Sequence, residues 1–195
     1  MKSFDALARR GLGLRLIGFD DGPFERRPGA RVPVSGVVCR DVRFEGMVFA
    51  WATRDGDDAG EVIAAALLGS RFYAQVHGVL LDGVTMGGFN VIDLQALAER
   101  LDRPCVAVMR RPPNLDAVRR ALTRLPDAEG RLSRLSRAGS VHQEGGFIFQ
   151  VIGETPGAVA QALARVTDRG QVPEPLRLAH LINGAVMTGE SGRRA

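Results

Sequence analysis

The sequence predicts one α/β domain: a mixed sheet, with a three-strand antiparallel meander joined to parallel strands and helices flanking it. Three observations carry that expectation. Apolar runs at 14–19, 32–39 and 47–53 follow one another with short polar turns between them. From residue 59 onward, helical spacing alternates with short apolar runs. A chain of 195 residues with 45% hydrophobic content is enough for a single domain, 1–195, with its own core.

The elements follow in order. Residues 1–12 read as an N-terminal arm. Leu14 to Phe19 is a strand that ends in Asp20 and Asp21, and the polar turn after it holds Pro23, Arg26, Arg27 and Pro28. Val32 to Cys39 is a valine-rich second strand and Met47 to Thr53 a third. Short links between successive strands predict a meander. Asp58 is placed to cap a helix from Ala59 to Ala74, on which Val62, Ala66, Leu67 and Phe72 roughly keep helical spacing. His77 to Leu81 is the fourth strand and ends at Asp82. Val91, Leu94, Leu97, Ala98 and Leu101 share one face, which predicts a helix over 91–101. Cys105 to Met109 is a fifth strand, and Leu115 to Leu125 a helix with Arg119, Arg120 and Arg124 on its wet side. Residues 126–144 are polar and arginine-rich, with Gly139 and His142 read as loop. Phe147 to Ile152 is an added strand and Pro156 to Val166 a helix. The last helix starts near Glu174-Pro175, where proline suits a first turn, and runs to about Met187. Residues 189–195 read as a loose tail.

A meander, then helix, strand, helix, strand, is the order of the ribonuclease H-like fold. There the first and fourth strands are parallel neighbours, so their carboxyl ends bring Asp20 and Asp82 together. In α/β sheets that end is where ligands sit. No apolar run approaches the length of a membrane span, and Met1 to Arg10 lacks an apolar signal core, so a soluble, cytoplasmic protein is expected. Cys39 and Cys105 lie within apolar runs, lack metal-site spacing and read as buried free thiols. The net charge is +4, and all but one of the 26 basic residues are arginine. A basic surface suits a polyanion, and arginine meets phosphate with two parallel donors.

Hard divalent cations take oxygen ligands, and Mg²⁺ commonly uses one or two carboxylates plus water and substrate oxygens. Asp20 and Asp82 are the expected pair, with Asp21 a possible second contact. Asp55, Asp57 and Asp58 follow the third strand. Capping of turns and helices is the other role open to such acids. The glycine-rich stretch Gly83 to Asn90 has neither Walker nor dinucleotide spacing. Its glycines are of the kind that let a backbone approach a base or sugar closely.

Several segments together resemble the endonuclease dU family, which is found mainly in archaea and is similar to endonuclease V. They are Gly18-Phe19-Asp20-Asp21-Gly22-Pro23-Phe24, Leu81-Asp82-Gly83-Val84-Thr85 with Gly87-Gly88-Phe89-Asn90, and Pro173-Glu174-Pro175-Leu176-Arg177-Leu178-Ala179-His180. The resemblance spans nearly the whole chain. It implies a ribonuclease H-like endonuclease that uses Mg²⁺ or Mn²⁺ to cut DNA at or near deaminated bases, deoxyuridine or deoxyinosine. It places metal-binding aspartates at Asp20 and Asp82 and the last acidic or histidine position at His180. Arg110 stands where endonuclease V has lysine and is expected to hold a phosphate. Arg177 falls in the same motif as His180 and is expected to bind substrate. Gly83, Gly87, Gly88 and Asn90 are the expected wall of a base pocket. The Tyr-Ile-Pro-Gly wedge and Phe-Arg-Glu motif of endonuclease V have no counterpart, so Asp55 or Asp58 is the expected replacement for that glutamate. Two alternatives stay open: a nucleic-acid-binding module without cleavage, and a phosphoesterase acting on small nucleotides. The oligomeric state is not fixed by these features.

Overall fold

The valine-rich runs pair as the meander predicts. The computed structural model describes Phe4 and residues 12–192. Its strands are β1 (Arg15–Asp21), β2 (Arg31–Arg40), β3 (Arg43–Thr53), β4 (Gly78–Asp82), β5 (Thr85–Met86), β6 (Asn90–Val91), β7 (Cys105–Met109), β8 (His142–Glu144) and β9 (Phe147–Ile152). Its helices are α1 (Ala59–Leu68), α2 (Leu94–Leu101), α3 (Leu115–Leu122), α4 (Ala128–Arg137), α5 (Pro156–Arg165) and α6 (Glu174–Thr188). Seven strands make one sheet in the order β3-β2-β1-β4-β7-β9-β8, and β5 and β6 make a separate hairpin. β1, β2 and β3 are antiparallel, β1, β4 and β7 are parallel, and β9 and β8 return antiparallel. The predicted mixed α/β sheet is therefore present.

Alternation along the strands divides the core in two. Ile17, Phe19, Val79, Leu81 and Ala107 face α1 and α2. Leu16, Leu80, Val106 and Phe149 face α5 and the first turn of α6. A third cluster, Val37, Cys39 and Ala179, seats α6 on β2. Both cysteines are buried and unpaired, as expected, and burial pushes the Cys39 thiol up to about 12. Among the described residues, no helix is long and apolar enough to cross a membrane.

Several boundaries differ from those expected. α1 ends at Leu68, not Ala74. Gly69 caps it, and the Ser70 hydroxyl donates to the Leu67 carbonyl at 2.8 Å. Phe72 still packs into the core from the turn that follows. Val91 belongs to β6, and α2 starts at Leu94, where the Asp93 carboxylate accepts from the Ala96 amide. The stretch 126–144 holds a helix, α4, whose buried residues are Arg131 and Leu135. His142 lies in β8, not in a loop. Most of the predicted N-terminal arm, and residues 193–195 of the tail, fall outside the described residues. Phe4 itself is buried, and its amide donates to Glu154 Oε2 at 2.8 Å.

Two devices hold the site end of the sheet. Arg131 is 4% exposed, and its guanidinium donates to the carbonyls of Pro126, Gly56, Asp55 and Phe89. It thus ties α4 to the loop after β3 and to the hairpin. The second device is close approach. A Cβ on Gly18 would sit 2.7 Å from the Pro175 carbonyl carbon, and one on Gly22 would sit 2.6 Å from Asn183 Cβ. Helix α6 therefore lies directly on β1.

Replacing Arg131 with Met leaves four carbonyls without their charged donor. Denaturant unfolding should show a loss of roughly 2–4 kcal/mol, since hydrogen bonds to charged groups contribute about 1.5–3 kcal/mol each. Gly18→Ala overpacks the β1–α6 contact. It should lower stability by about 1–3 kcal/mol in the same measurement.

Candidate active site

The parallel pairing of β1 with β4 runs Leu16↔Gly78 to Phe19↔Leu81. One residue further, the same register sets Asp20 beside Asp82 at the carboxyl ends of both strands. Asp20 is 4% exposed. Asp82 is half-buried, with 29% of its side chain exposed.

Asp20 is buried because α6 covers it. Proline in the first turn starts that helix, and Glu174 there is buried and paired with Arg177 at 2.8 Å. Further along, His180 Nδ1 lies 2.9 Å from Asp20 Oδ2. Asn183, one turn on, is buried, donates to the Asp20 carbonyl at 2.7 Å and accepts from Ser35 Oγ at 2.7 Å. The Asp21 amide donates to Asp20 Oδ1 at 2.8 Å. Burial, with the charges of Asp82 and Asp21, pushes the Asp20 carboxyl up to about 8. Burial raises Asp21 as well, opposed by the amide of Gly87, which donates to Asp21 Oδ2 at 3.1 Å. The nearest cation to Asp82 among the described residues is Arg110, with Nη2 at 3.7 Å from Oδ2.

The stretch after β4 is a hairpin rather than a plain loop. Gly87 and Gly88 make its turn, both with positive φ. The Gly83 amide donates to the Val108 carbonyl at 2.9 Å, and a side chain at Gly83 would meet open space. Val84 and Phe89 pack beside Leu122 and Leu135, so α3 and α4 support the hairpin from behind. Asn90 is fully buried. Its amide donates to Thr53 O and Asp58 Oδ1, and its oxygen accepts from the Ala59 amide. Asp58 also accepts from the Thr53 amide and hydroxyl. Asp55 accepts from the Phe89 amide at 2.9 Å and lies 3.2 Å from Arg54 Nε.

The structure thus brings Asp20, Asp82, His180 and Arg110 to one place, with Asp21 beside them and the Gly83–Gly88 turn alongside. It puts Asp55, Asp58 and Asn90 in the framework that anchors the hairpin, where their polar atoms serve one another. Arg177 is turned to Glu174. Sequence reasoning missed Asn183 and left Asp21 in second place. Asn183 had a signal: it lies one helical turn from His180, on the face that also carries Arg177 and Glu174 at the same spacing.

The donor set fits a hard cation. Asp20 and Asp82 meet on one sheet face, and Asp20 is destabilised as an anion by burial first and then by the charges of Asp82 and Asp21. A divalent ion relieves that arrangement. Among the described residues, no three His, Cys, Asp or Glu side chains gather closely enough to hold an ion by themselves. The rest of a shell would come from water and substrate oxygens, as is usual for Mg²⁺.

The chain matches known proteins over most of its length. The family model described as endonuclease dU matches residues 12–187. A UPF0215 protein of Methanothermobacter thermautotrophicus is 37% identical over 183 residues, covering 91% of this chain and 90% of the relative. A crystal structure of a protein of unknown function from Archaeoglobus fulgidus superposes with a TM-score of 0.84 at 31% identity, covering 89% of this chain and 98% of that one. Endonuclease V of Bacillus subtilis superposes with a TM-score of 0.59 at 11% identity, covering 97% and 94%, which is a likeness of fold.

The electrostatics of Asp20 give a pH prediction. Its carboxyl is raised from 3.8 to about 8 on folding. In the metal-free protein the folded state therefore holds a proton that the unfolded chain has released. The penalty grows as pH rises from about 4 to about 8 and is absent below that window. Asp20→Asn should raise the melting temperature of the metal-free protein at pH 8 by roughly 3–8 °C. The gain should shrink towards pH 4 when thermal unfolding is followed across that range.

Proposed function

The chain belongs to the endonuclease dU family, and from that membership and the site geometry we propose that it is a divalent-metal-dependent endonuclease that cuts DNA phosphodiester bonds at or near deaminated bases, deoxyuridine or deoxyinosine. The observation that supports this reading best is the meeting of Asp20 and Asp82 at adjoining strand ends, with His180 2.9 Å from Asp20.

In this reading Asp20 and Asp82 hold Mg²⁺ or Mn²⁺, and Asp21 adds to the negative field. Bound between these acids, such an ion would supply a more nucleophilic water at neutral pH and would stabilise charge on the departing oxygen. The chain's own residues do the rest. His180 is engaged with Asp20 through Nδ1, and its ring is 40% exposed. Its other nitrogen is left to position water or to move a proton. Arg110 is half exposed at the end of β7 and meets the substrate phosphate. The Gly83–Gly88 turn walls a pocket for an extruded base, because reading a lesion requires taking it out of the stack. Asp55, Asp58 and Asn90 act at one remove, by fixing that turn. Arginine contacts to phosphate make binding salt-sensitive.

The test is incubation of oligonucleotides carrying one deoxyuridine or deoxyinosine with Mn²⁺ or Mg²⁺. The native protein should nick near the lesion. Asp82→Ala should fall to background, and His180→Ala should lose about 10²–10⁴ in rate. No cleavage by the native protein with either cation, or equal cleavage by Asp82→Ala, would overturn the reading.

A further inference from the structure

The sheet face that carries Asp20 continues past α6 onto β3, the edge strand. Pairing runs Asp20↔Ser35 between β1 and β2, and Ser35↔Phe49 between β2 and β3. In the next row the Gly22 amide donates to the Pro33 carbonyl, and Pro33 pairs with Trp51. Residues opposite one another in neighbouring strands project from the same face. Phe49 and Trp51 therefore stand on the α6 face, with Phe49 two strand spacings, about 10 Å, from Asp20. Ser35 is covered by Asn183 of α6, whereas Phe49 is 38% exposed. The Phe49 and Trp51 rings meet edge to face, with centroids 5.3 Å apart. The exposed Arg31 guanidinium lies 4.5 Å from the centroid of the Trp51 ring. Among the described residues, Arg31 has no carboxylate partner.

We propose that Phe49, Trp51 and Arg31 form a stacking platform for an unpaired nucleobase of the strand whose phosphodiester lies at Asp20 and Asp82. The proposal rests on the nuclease reading for its choice of ligand. Three features favour a nucleic acid over a protein partner. The rings are accompanied by a cation free to meet the adjoining phosphate. The chain carries a net charge of +4. The platform also shares its face with acids suited to phosphodiester chemistry. Every base has a π-face, so such a shelf holds a strand without reading its sequence. It supplies a hold on the strand beside the cut, on the sheet face opposite the one where Gly87 packs against Val32.

Trp51 is the chain's only tryptophan, so intrinsic emission reports on it alone. The experiment titrates the protein, in chelator to prevent cleavage, with a short single-stranded oligothymidylate that also carries a dye for anisotropy. Tryptophan emission should be quenched in step with the rise in anisotropy. Trp51→Ala and Arg31→Ala should each weaken binding roughly tenfold, while Trp51→Phe stays within about threefold. Asp82→Ala should retain the quench. Binding without a change in emission, or unweakened binding by Trp51→Ala, overturns the platform. So does emission that instead follows protein concentration, with a dimer in sedimentation, because the face then seats a second copy of this chain. Quenching by a protein that never cleaves leaves the platform standing and removes the nuclease reading. No oligonucleotide binding at all overturns the platform and leaves the nuclease reading to its own cleavage test.

Discussion

Helix α6 rests directly on β1 because the strand face bearing Asp20 has glycine on either side of it. Gly18 and Gly22 offer no Cβ, so Pro175 and Asn183 approach to distances that any side chain would forbid. The rest of the site follows from that contact. The helix roof removes Asp20 from water. It brings His180 to one carboxylate oxygen and Asn183 to the Asp20 backbone carbonyl. With larger residues at 18 and 22, Asp20 would be an ordinary acid at the end of a strand.

The carboxylates of this end of the molecule fall into two kinds, distinguished by their partners. Asp58 receives an amide, a hydroxyl and a neutral side chain, Asp55 an amide and the neighbouring Arg54, and those bonds fold the chain around them. Asp20 and Asp82 face each other across a parallel strand pair, with Arg110 at 3.7 Å from one of them. Such an arrangement destabilises the fold locally and is sustained by the two apolar cores on either side of the sheet. Local destabilisation of this sort marks a place where the chain is built to receive charge rather than to hold itself together.

Much of this was legible in the sequence, because strands announce themselves by apolar runs. β1, β2, β4, β7 and β9 were found to within two residues at each end, β3 starts at Arg43, four residues before the expected Met47, and Pro175 marked the start of α6. The failures have physical causes. α4 turns an arginine inward, so its buried face carries no apolar period, and only Leu135 among its buried residues is hydrophobic. The hairpin strands are two residues each and flank the Gly87-Gly88 turn, too short for alternation to show. Val91 fits a helical stripe with Leu94 by spacing, yet its backbone is committed to β6. For the site, Asp20 and Asp82 came from their places at the ends of two strands expected to be neighbours, and His180 from motif resemblance. Register explains why the two acids meet, and the glycine contact explains why the histidine joins them. Which acids would be consumed by the framework was not visible, since that depends on hydrogen bonds between loops far apart in sequence.

The bond between Asp20 and His180 spans 160 positions of the chain. Synthesis runs from the N-terminus, so both acids leave the ribosome long before the helix that completes their setting. Until α6 has emerged and docked, the growing chain has its carboxylates in water and no histidine beside them. A truncated product, or one stalled in translation, stays in that unfinished condition. The setting of Asp20 and Asp82 is completed only once the helix 160 positions downstream has been made.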